Sequence, residues 1–194
     1  MKCDIILSGV GGQGVLSLAG LIGFGAIAEG LFAKQSEVHG MAQRGGAVVA
    51  HLRLSDKPIH SDLIPQGVAD LILSMEPLES LRYIGYLSPS GTLVTATNPF
   101  DNITDYPDLQ GVLAKIRELP RSLLVDAEGL AREAGDVQAM NTVMVGAASR
   151  LLPLKPETLE KVVQQVFGAK GQRVVDVNLA ALAAGRKAGE SVKV

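Results

Sequence analysis

A single cysteine, Cys3, among 194 residues leaves nothing to form an internal disulfide, and without a CxxC pair or a Cys/His cluster the chain offers no ligand set for zinc or an iron–sulfur cluster. Any redox chemistry that it serves is therefore expected to run on a cofactor held elsewhere. Aromatic residues are also scarce: tryptophan is absent and Phe and Tyr make up only 4%, against 47% apolar residues. Such a core must be built from Val, Leu, Ile and Ala, as layered α/β proteins build theirs. Runs of one charge are missing too. The 18 basic and 20 acidic residues are interspersed to a net −2, which leaves no footprint for nucleic acid or an anionic membrane. The N-terminus lacks a basic n-region, a continuous apolar h-region and a cleavage site, so the expected location is the cytoplasm. The most apolar stretch, residues 15–33, is interrupted by Ser17, Glu29 and the glycines at 20, 23, 25 and 30, and reads as a buried helix rather than a membrane span.

What is present is an alternation of strands and helices. The length fits one domain, 1–194, burying roughly 70% of the surface of the unfolded chain. Residues 4–8 read as a strand and the helix opens at Val15. A short strand is expected over 31–34, then an aperiodic polar segment, 35–46. Residues 47–54 alternate, with Val48, Ala50, Leu52 and Leu54 on one face and Val49, His51 and Arg53 on the other. Turn chemistry at 55–58 invites 59–61 to return antiparallel, which makes the sheet mixed. Further strands fall at 70–74, 92–97 and 122–126, and helices at 77–87, 108–118, 127–134, 140–152, 156–167 and 174–189. The pattern predicts a three-layer α/β/α sandwich with a mixed, mostly parallel sheet that includes a β-hairpin.

Two segments carry candidate chemistry. Gly9-Val10-Gly11-Gly12-Gln13-Gly14 joins the first strand to the first helix with no gap. Glycines let a backbone approach another molecule closely, and the helix start points its free N–H groups and positive dipole end into the same space. The spacing is that of the dinucleotide fingerprint, which also needs an acid at the end of the second strand. Glu37 is the available acid, although the loop after it is not one that a dinucleotide fold requires. A tight turn with glycines serving sterics alone is the competing reading. The second segment, Ser36-Glu37-Val38-His39-Gly40-Met41-Ala42-Gln43-Arg44-Gly45-Gly46, gathers Arg44, Glu37 and an acid–base residue, His39, into a glycine-containing loop, with a solvated Arg–Glu pair as the alternative. His51 and His60 read as exposed polar positions, Asp70 and Asp126 as caps or turn formers, and Asn178 as a structural hydrogen-bonding residue. Asn141 is expected to cap its helix or to contact the glycine turn. Ser8 and Ser17 have no His–Asp pair at triad spacing. Glycines 20, 23 and 25 cost roughly 1 kcal/mol each relative to Ala, so a neighbouring backbone is expected close by, either the small-residue helix at 143–149 or a second subunit.

Both glycine segments, with Asp70, Glu76-Pro77 and Asn141 ahead of a glycine/alanine helix, resemble the gamma-type subunit of the 2-oxoacid:ferredoxin oxidoreductases across nearly the whole chain. The Ser-Glu-Val-His-Gly-Met-Ala-Gln-Arg-Gly-Gly form is similar to the small subunit of that family's indolepyruvate branch. The resemblance implies a complex that oxidatively decarboxylates a 2-oxoacid with thiamine diphosphate, iron–sulfur clusters and coenzyme A, and passes electrons to ferredoxin. This chain has neither cluster cysteines nor a Gly-Asp-Gly with a downstream Asn-Asn for thiamine diphosphate. It is thus expected to bind no cofactor alone, and a large alpha subunit is expected to carry those parts. On this resemblance Arg44, His39 and Glu37 are the catalytic candidates, and Gly9, Gly11, Gly12, Gln13, Gly14, Ser36, Gly45, Gly46 and Asn141 the cofactor-facing ones. Self-association stays open. So do a stand-alone NAD(P) dehydrogenase and a purely structural subunit.

Overall fold

The structure is a computed structural model that describes residues 1–39, 45–100 and 103–192, residue 39 through its backbone alone. Its strands are β1 (Lys2–Val10), β2 (Phe32–His39), β3 (Ala47–Ser55), β4 (Ala69–Ser74), β5 (Leu87–Ala96) and β6 (Ser122–Val125). They form one sheet in the order β2-β3-β1-β4-β5-β6, parallel from β1 through β6 and antiparallel where β3 meets β1 and β2. The helices are α1 (Val15–Ala28), α2 (Pro77–Arg82), α3 (Leu109–Arg117), α4 (Ala127–Ala134), α5 (Met140–Ala148), α6 (Pro156–Phe167) and α7 (Gln172–Gly189). One sheet face packs on α2 and α3 through Ile6, Ile72 and Leu93; the other packs on α1 and α4 to α7 through Ile5, Leu7, Leu71 and Leu73. Central strands covered on both faces need apolar side chains at successive positions, and these residues are fully buried. The expected mixed, helix-flanked α/β fold is the one observed.

The hairpin partner differs from the expected one. Residues 59–61 form no strand; β3 is paired by β2 instead, from Phe32↔Ser55 to His39↔Val48. With β1 on its other edge, β3 has no edge left to offer. The polar residues 35–39, expected in a loop, therefore lie in a strand. An edge strand tolerates them because one side stays open to solvent. Arg53 holds the irregular stretch after β3 by donating to Ser61 O at 3.1 Å and Leu63 O at 3.0 Å. Its Nε and Nη2 also reach the fully buried Asp4 carboxylate at 2.9 and 3.1 Å. The helix expected over 77–87 stops at Arg82, and β5 begins at Leu87 rather than near residue 92. At Gly91 a Cβ would lie 2.6 Å from Ala69 O, so the glycine admits the close β4–β5 approach where their register shifts.

Small residues divide into two groups. In α5 and α7, Cβ atoms added at Gly146, Gly185 and Gly189 would strike the carbonyls of Leu182, Val143 and Ala147, so α5 packs backbone to backbone on α7. In α1 only Gly25 is crowded, by Leu154 at 3.0 Å. Gly20 would meet only Phe24 at 3.9 Å and Gly23 nothing within 4 Å, so the close neighbour expected for these two is not supplied by the described residues. They lie on the exposed face of α1 with Leu16, Phe24 and Ile27, which are 51%, 56% and 62% exposed.

Substituting Ala at each class separates them. Gly185→Ala is expected to destabilise the chain by about 2–3 kcal/mol through overpacking, and Gly23→Ala to stabilise it by up to about 1 kcal/mol, as read by urea unfolding. Equal effects would contradict this division.

Candidate functional site

The glycine turn sits where β1 ends and the helices change sides of the sheet. The strand leaving α1 does not pair with β1, and α2 follows β4 on the opposite face, so a crevice opens beyond the carboxyl ends of β1 and β4. In open α/β sheets this is the usual place for a ligand. Gly12 and Gly14 have φ of 104° and 75°, a region that L side chains rarely adopt, and this lets the chain fold back sharply into α1. Gly14 is the α1 N-cap; the helix start has no side-chain cap and no acid in its first turn. A Cβ at Gly14 would run into Asn141 Nδ2, so the glycine turn and the start of α5 are in direct apposition.

Backbone hydrogen bonds join the two glycine segments. Gly11 N donates to Gly46 O at 2.8 Å, and Gly45 N, at a φ of 79°, donates to Gly11 O at 3.2 Å. The two turns thus form one continuous backbone surface. Gln13 braces it: Oε1 accepts from Val10 N at 2.8 Å and Nε2 donates to Met75 O at 3.2 Å. Its amide is engaged within the fold. Gly9 lies within β1, where a Cβ would come within 3.0 Å of Gln13 Oε1 and 3.2 Å of Met75 Cβ, so its role is to let those groups close in.

The remaining candidates are partly dispersed. Ser36 and Glu37 occupy opposite faces of β2, with Ser36 across from His51 and Glu37 across from Ala50. The His39 side chain lies outside the described residues, as do Arg44 and the rest of 40–44. Glu37 is not placed as a dinucleotide fold would place its acid, because the neighbour of β1 on that side is the antiparallel β3 and not a parallel second strand. His51 is buried rather than exposed: its Nδ1 accepts from Ile64 N at 3.0 Å, its ring packs edge-on to Tyr86, and burial lowers its pKa. Asp126 caps α4 through Gly129 N, and Asp70 accepts from Asp4 N. Asn178 accepts from Thr142 Oγ1 and donates to Val174 O.

A cleft of about 550 Å³ borders the turn, lined by Gly12, Gln13 and Gly14 with Met75, Asn98 and Phe100 among its walls. Glu76, next to this wall, was not among the sequence candidates. It is 1% exposed; Oε2 caps α2 by accepting from Glu79 N at 2.7 Å, and Tyr106 OH donates to Oε1. Burial raises its pKa above the ordinary carboxylate value despite those hydrogen bonds. The Tyr106 hydroxyl is raised as well, by burial and by that carboxylate. Only the Glu-Pro pair at a helix start hinted at this role, and it could not reveal Tyr106. Cys3 is buried with its thiol pushed up to about 12, and among the described residues no His/Cys/Asp/Glu group could hold a metal ion. With one cysteine in the sequence, and that one buried, the described residues supply no ligand set for an iron–sulfur cluster.

The fold is a helix-flanked mixed α/β sheet with a crevice at its glycine turn. The family model for pyruvate ferredoxin/flavodoxin oxidoreductase matches residues 4–188, and the chain belongs to that family. It is 38% identical to indolepyruvate oxidoreductase subunit IorB of Pyrococcus horikoshii, over 97% of this chain and 96% of that one. It is 28% identical to the common gamma subunit of the pyruvate/ketoisovalerate oxidoreductases of Thermococcus kodakarensis, over 88% and 90%. Among solved structures, pyruvate oxidoreductase subunit PORC of Thermotoga maritima matches with a TM-score of 0.74 at 25% identity, over 99% of this chain and 97% of that one. The fold also recurs, at 21% identity and a TM-score of 0.77, in 2-oxoglutarate:ferredoxin oxidoreductase of Magnetococcus marinus, where it covers 32% of the larger chain.

The raised Glu76 pKa fixes a sign. Stability from this group is fully present below its ordinary value of 4.5 and is lost as pH rises through the higher folded value. Glu76→Gln, which cannot ionise, is expected to gain stability relative to the unsubstituted chain over that rise, as read from urea unfolding at a series of pH values. Parallel curves would contradict it.

Proposed function

We propose that this chain is the cluster-free small subunit of an oxidoreductase acting on an aryl 2-oxoacid such as indolepyruvate, inactive alone and working in the cytoplasm as part of a heteromer. The observation that carries the reading is the hydrogen-bonded union of the 9–14 and 45–46 turns into one glycine surface beside a cleft. The relatives at 35–38% identity are named as subunits of an indolepyruvate oxidoreductase, which supports the substrate class. Oxidative decarboxylation, with its thiamine diphosphate, iron–sulfur clusters and electron delivery to ferredoxin, is assigned to a larger alpha subunit. Coenzyme A is expected where that subunit meets this one. A complex of this family type with coenzyme A bound shares the fold.

Within the division of labour, the glycine turn presents backbone N–H groups and the positive end of α1, and excludes side chains that would hold the partner away. Arg44 is assigned a fixed positive charge for a carboxylate or phosphate, with His39 and Glu37 beside it in sequence. The exposed α1 face of Leu16, Phe24 and Ile27, with Gly20 and Gly23 between, suits close contact with the same large subunit.

Co-production with the large subunit, followed by an oxoacid panel with a viologen acceptor, is the test. Turnover of aryl pyruvates by the complex and none by the isolated chain is expected; nicotinamide binding or turnover by the isolated chain would overturn the reading. Arg44→Ala is expected to lower turnover of the complex by about tenfold or more while leaving the isolated chain's thermal unfolding unchanged. Unchanged turnover would leave the chain as a structural subunit. Phe24→Asp is expected to weaken recovery of the complex by about tenfold, since a buried anchor would be replaced by an unpaired charge; undiminished recovery would remove this face from the contact.

A further inference from the structure

Glu76-Pro77, singled out in the sequence, takes no part in the glycine surface, yet Glu76 does more than start a helix. An N-cap needs one side-chain oxygen, and a short Asp, Asn, Ser or Thr supplies it. Asp108 and Asp126 cap α3 and α4 in that way. Glu76 is instead 1% exposed, and its two oxygens serve three donors from two separate segments: Glu79 N at 2.7 Å on Oε2, Tyr106 OH on Oε1, and the Phe100 backbone N–H. Capping alone does not call for this residue, because burying a carboxylate is costly unless its hydrogen bonds offset the loss of water.

The additional contacts hold a wall of the cleft beside the glycine turn. Glu76 grips the connection between β5 and α3 at Phe100 and at Tyr106, and Asn98, Pro99 and Phe100 line the cleft while Glu76 itself does not. The carboxylate therefore stands behind the wall. On its other side, Ser74 Oγ donates to Glu76 O at 2.7 Å, and Gln13 of the turn donates to Met75 O. The end of β4 is thus the common anchor of the wall and of the glycine turn. The cleft has an apolar lining from Met75, Pro99, Phe100, Val137 and Met140; among the described lining residues the charged one is Glu128, which Arg132 engages. Such a lining suits an uncharged aromatic group, for which Phe100 offers ring contact and the two methionines sulfur contact.

We propose that Glu76 is a positioning residue: through Phe100 it holds the cleft wall against which the aryl end of the oxoacid packs. The inference rests on the subunit reading above and adds to it the part of the site that meets the uncharged end of the substrate. Glu76 touches no substrate; it acts by fixing where Phe100 stands relative to the turn. A Gln at this position keeps one acceptor oxygen and turns the other into a donor that faces donors. The α2 cap can then persist while the wall loses its anchor.

The test is steady-state kinetics of the complex assembled with the large subunit, with KM measured separately for indolepyruvate and for coenzyme A, alongside thermal unfolding of the same complexes. Phe100→Ala and Glu76→Gln are each expected to raise KM for indolepyruvate by about tenfold, and Tyr106→Phe by less, with kcat and KM for coenzyme A unchanged. Because Glu76 acts through Phe100, the double variant is expected to be no worse than Phe100→Ala alone. An unchanged indolepyruvate KM in Phe100→Ala or Glu76→Gln, additive effects in the double variant, a rise confined to coenzyme A, or a loss that follows a lowered unfolding temperature would overturn the proposal. An unsubstituted complex with no turnover of aryl pyruvates would overturn the subunit reading together with it; an active complex whose variants keep their KM overturns this inference alone.

Discussion

The reciprocal pairing of Gly11 with Gly45 and Gly46 is the constraint from which the functional surface follows. It ties the end of the central strand β1 to the start of β3, across the one antiparallel junction that β1 makes. The ladder of that pair ends at Val10↔Ala47, and the two glycine turns carry the contact one step beyond it. The φ values of 75° to 104° at Gly12, Gly14 and Gly45 suit glycine. A glycine surface has little specificity of its own. Its value is a fixed array of backbone groups that another polypeptide or an anion can approach closely.

The rest of the fold holds that array still. Gln13 links Val10 to Met75, and Met75 N in turn donates to Ser8 O at 2.9 Å, so the exits of β1 and β4 are laced together. Glu76 extends the lacing to α2 and Tyr106 at the cost of a buried carboxyl. Beneath the turn, α1 is fixed by its core contacts, with Asn141 lying against Gly14, while its outer face stays apolar and open. The subunit proposed above, with its cofactors assigned to another chain, would use this combination: a braced turn, a cleft beside it and an uncovered face.

Much of this was legible in residues alone. Continuous apolar runs marked β1 and β4, and the glycine run between a strand and a helix marked the turn, because both signals are local. Asp126 and Asn178 read correctly as structural for the same reason. The hairpin partner was missed because edge strands carry little period; residues 35–39 look like loop until β3 claims them. His51 was misjudged because its cover comes from Tyr86 and Ile64, distant in sequence. Glu76 with Tyr106 is a long-range association that no spacing announces. Conversely, Gly20 and Gly23 showed that a small-residue pattern states a need for close approach without naming the neighbour.

Amide hydrogen exchange, compared between the free chain and the chain assembled with its large subunit, tests the shared glycine surface most directly. The account requires Gly11, Gly12 and Gly14 to gain protection together with Gly45 and Gly46 on assembly, at least about tenfold and in step, with the outer face of α1 following. Unchanged exchange at both turns, or protection of one turn without the other, would contradict it.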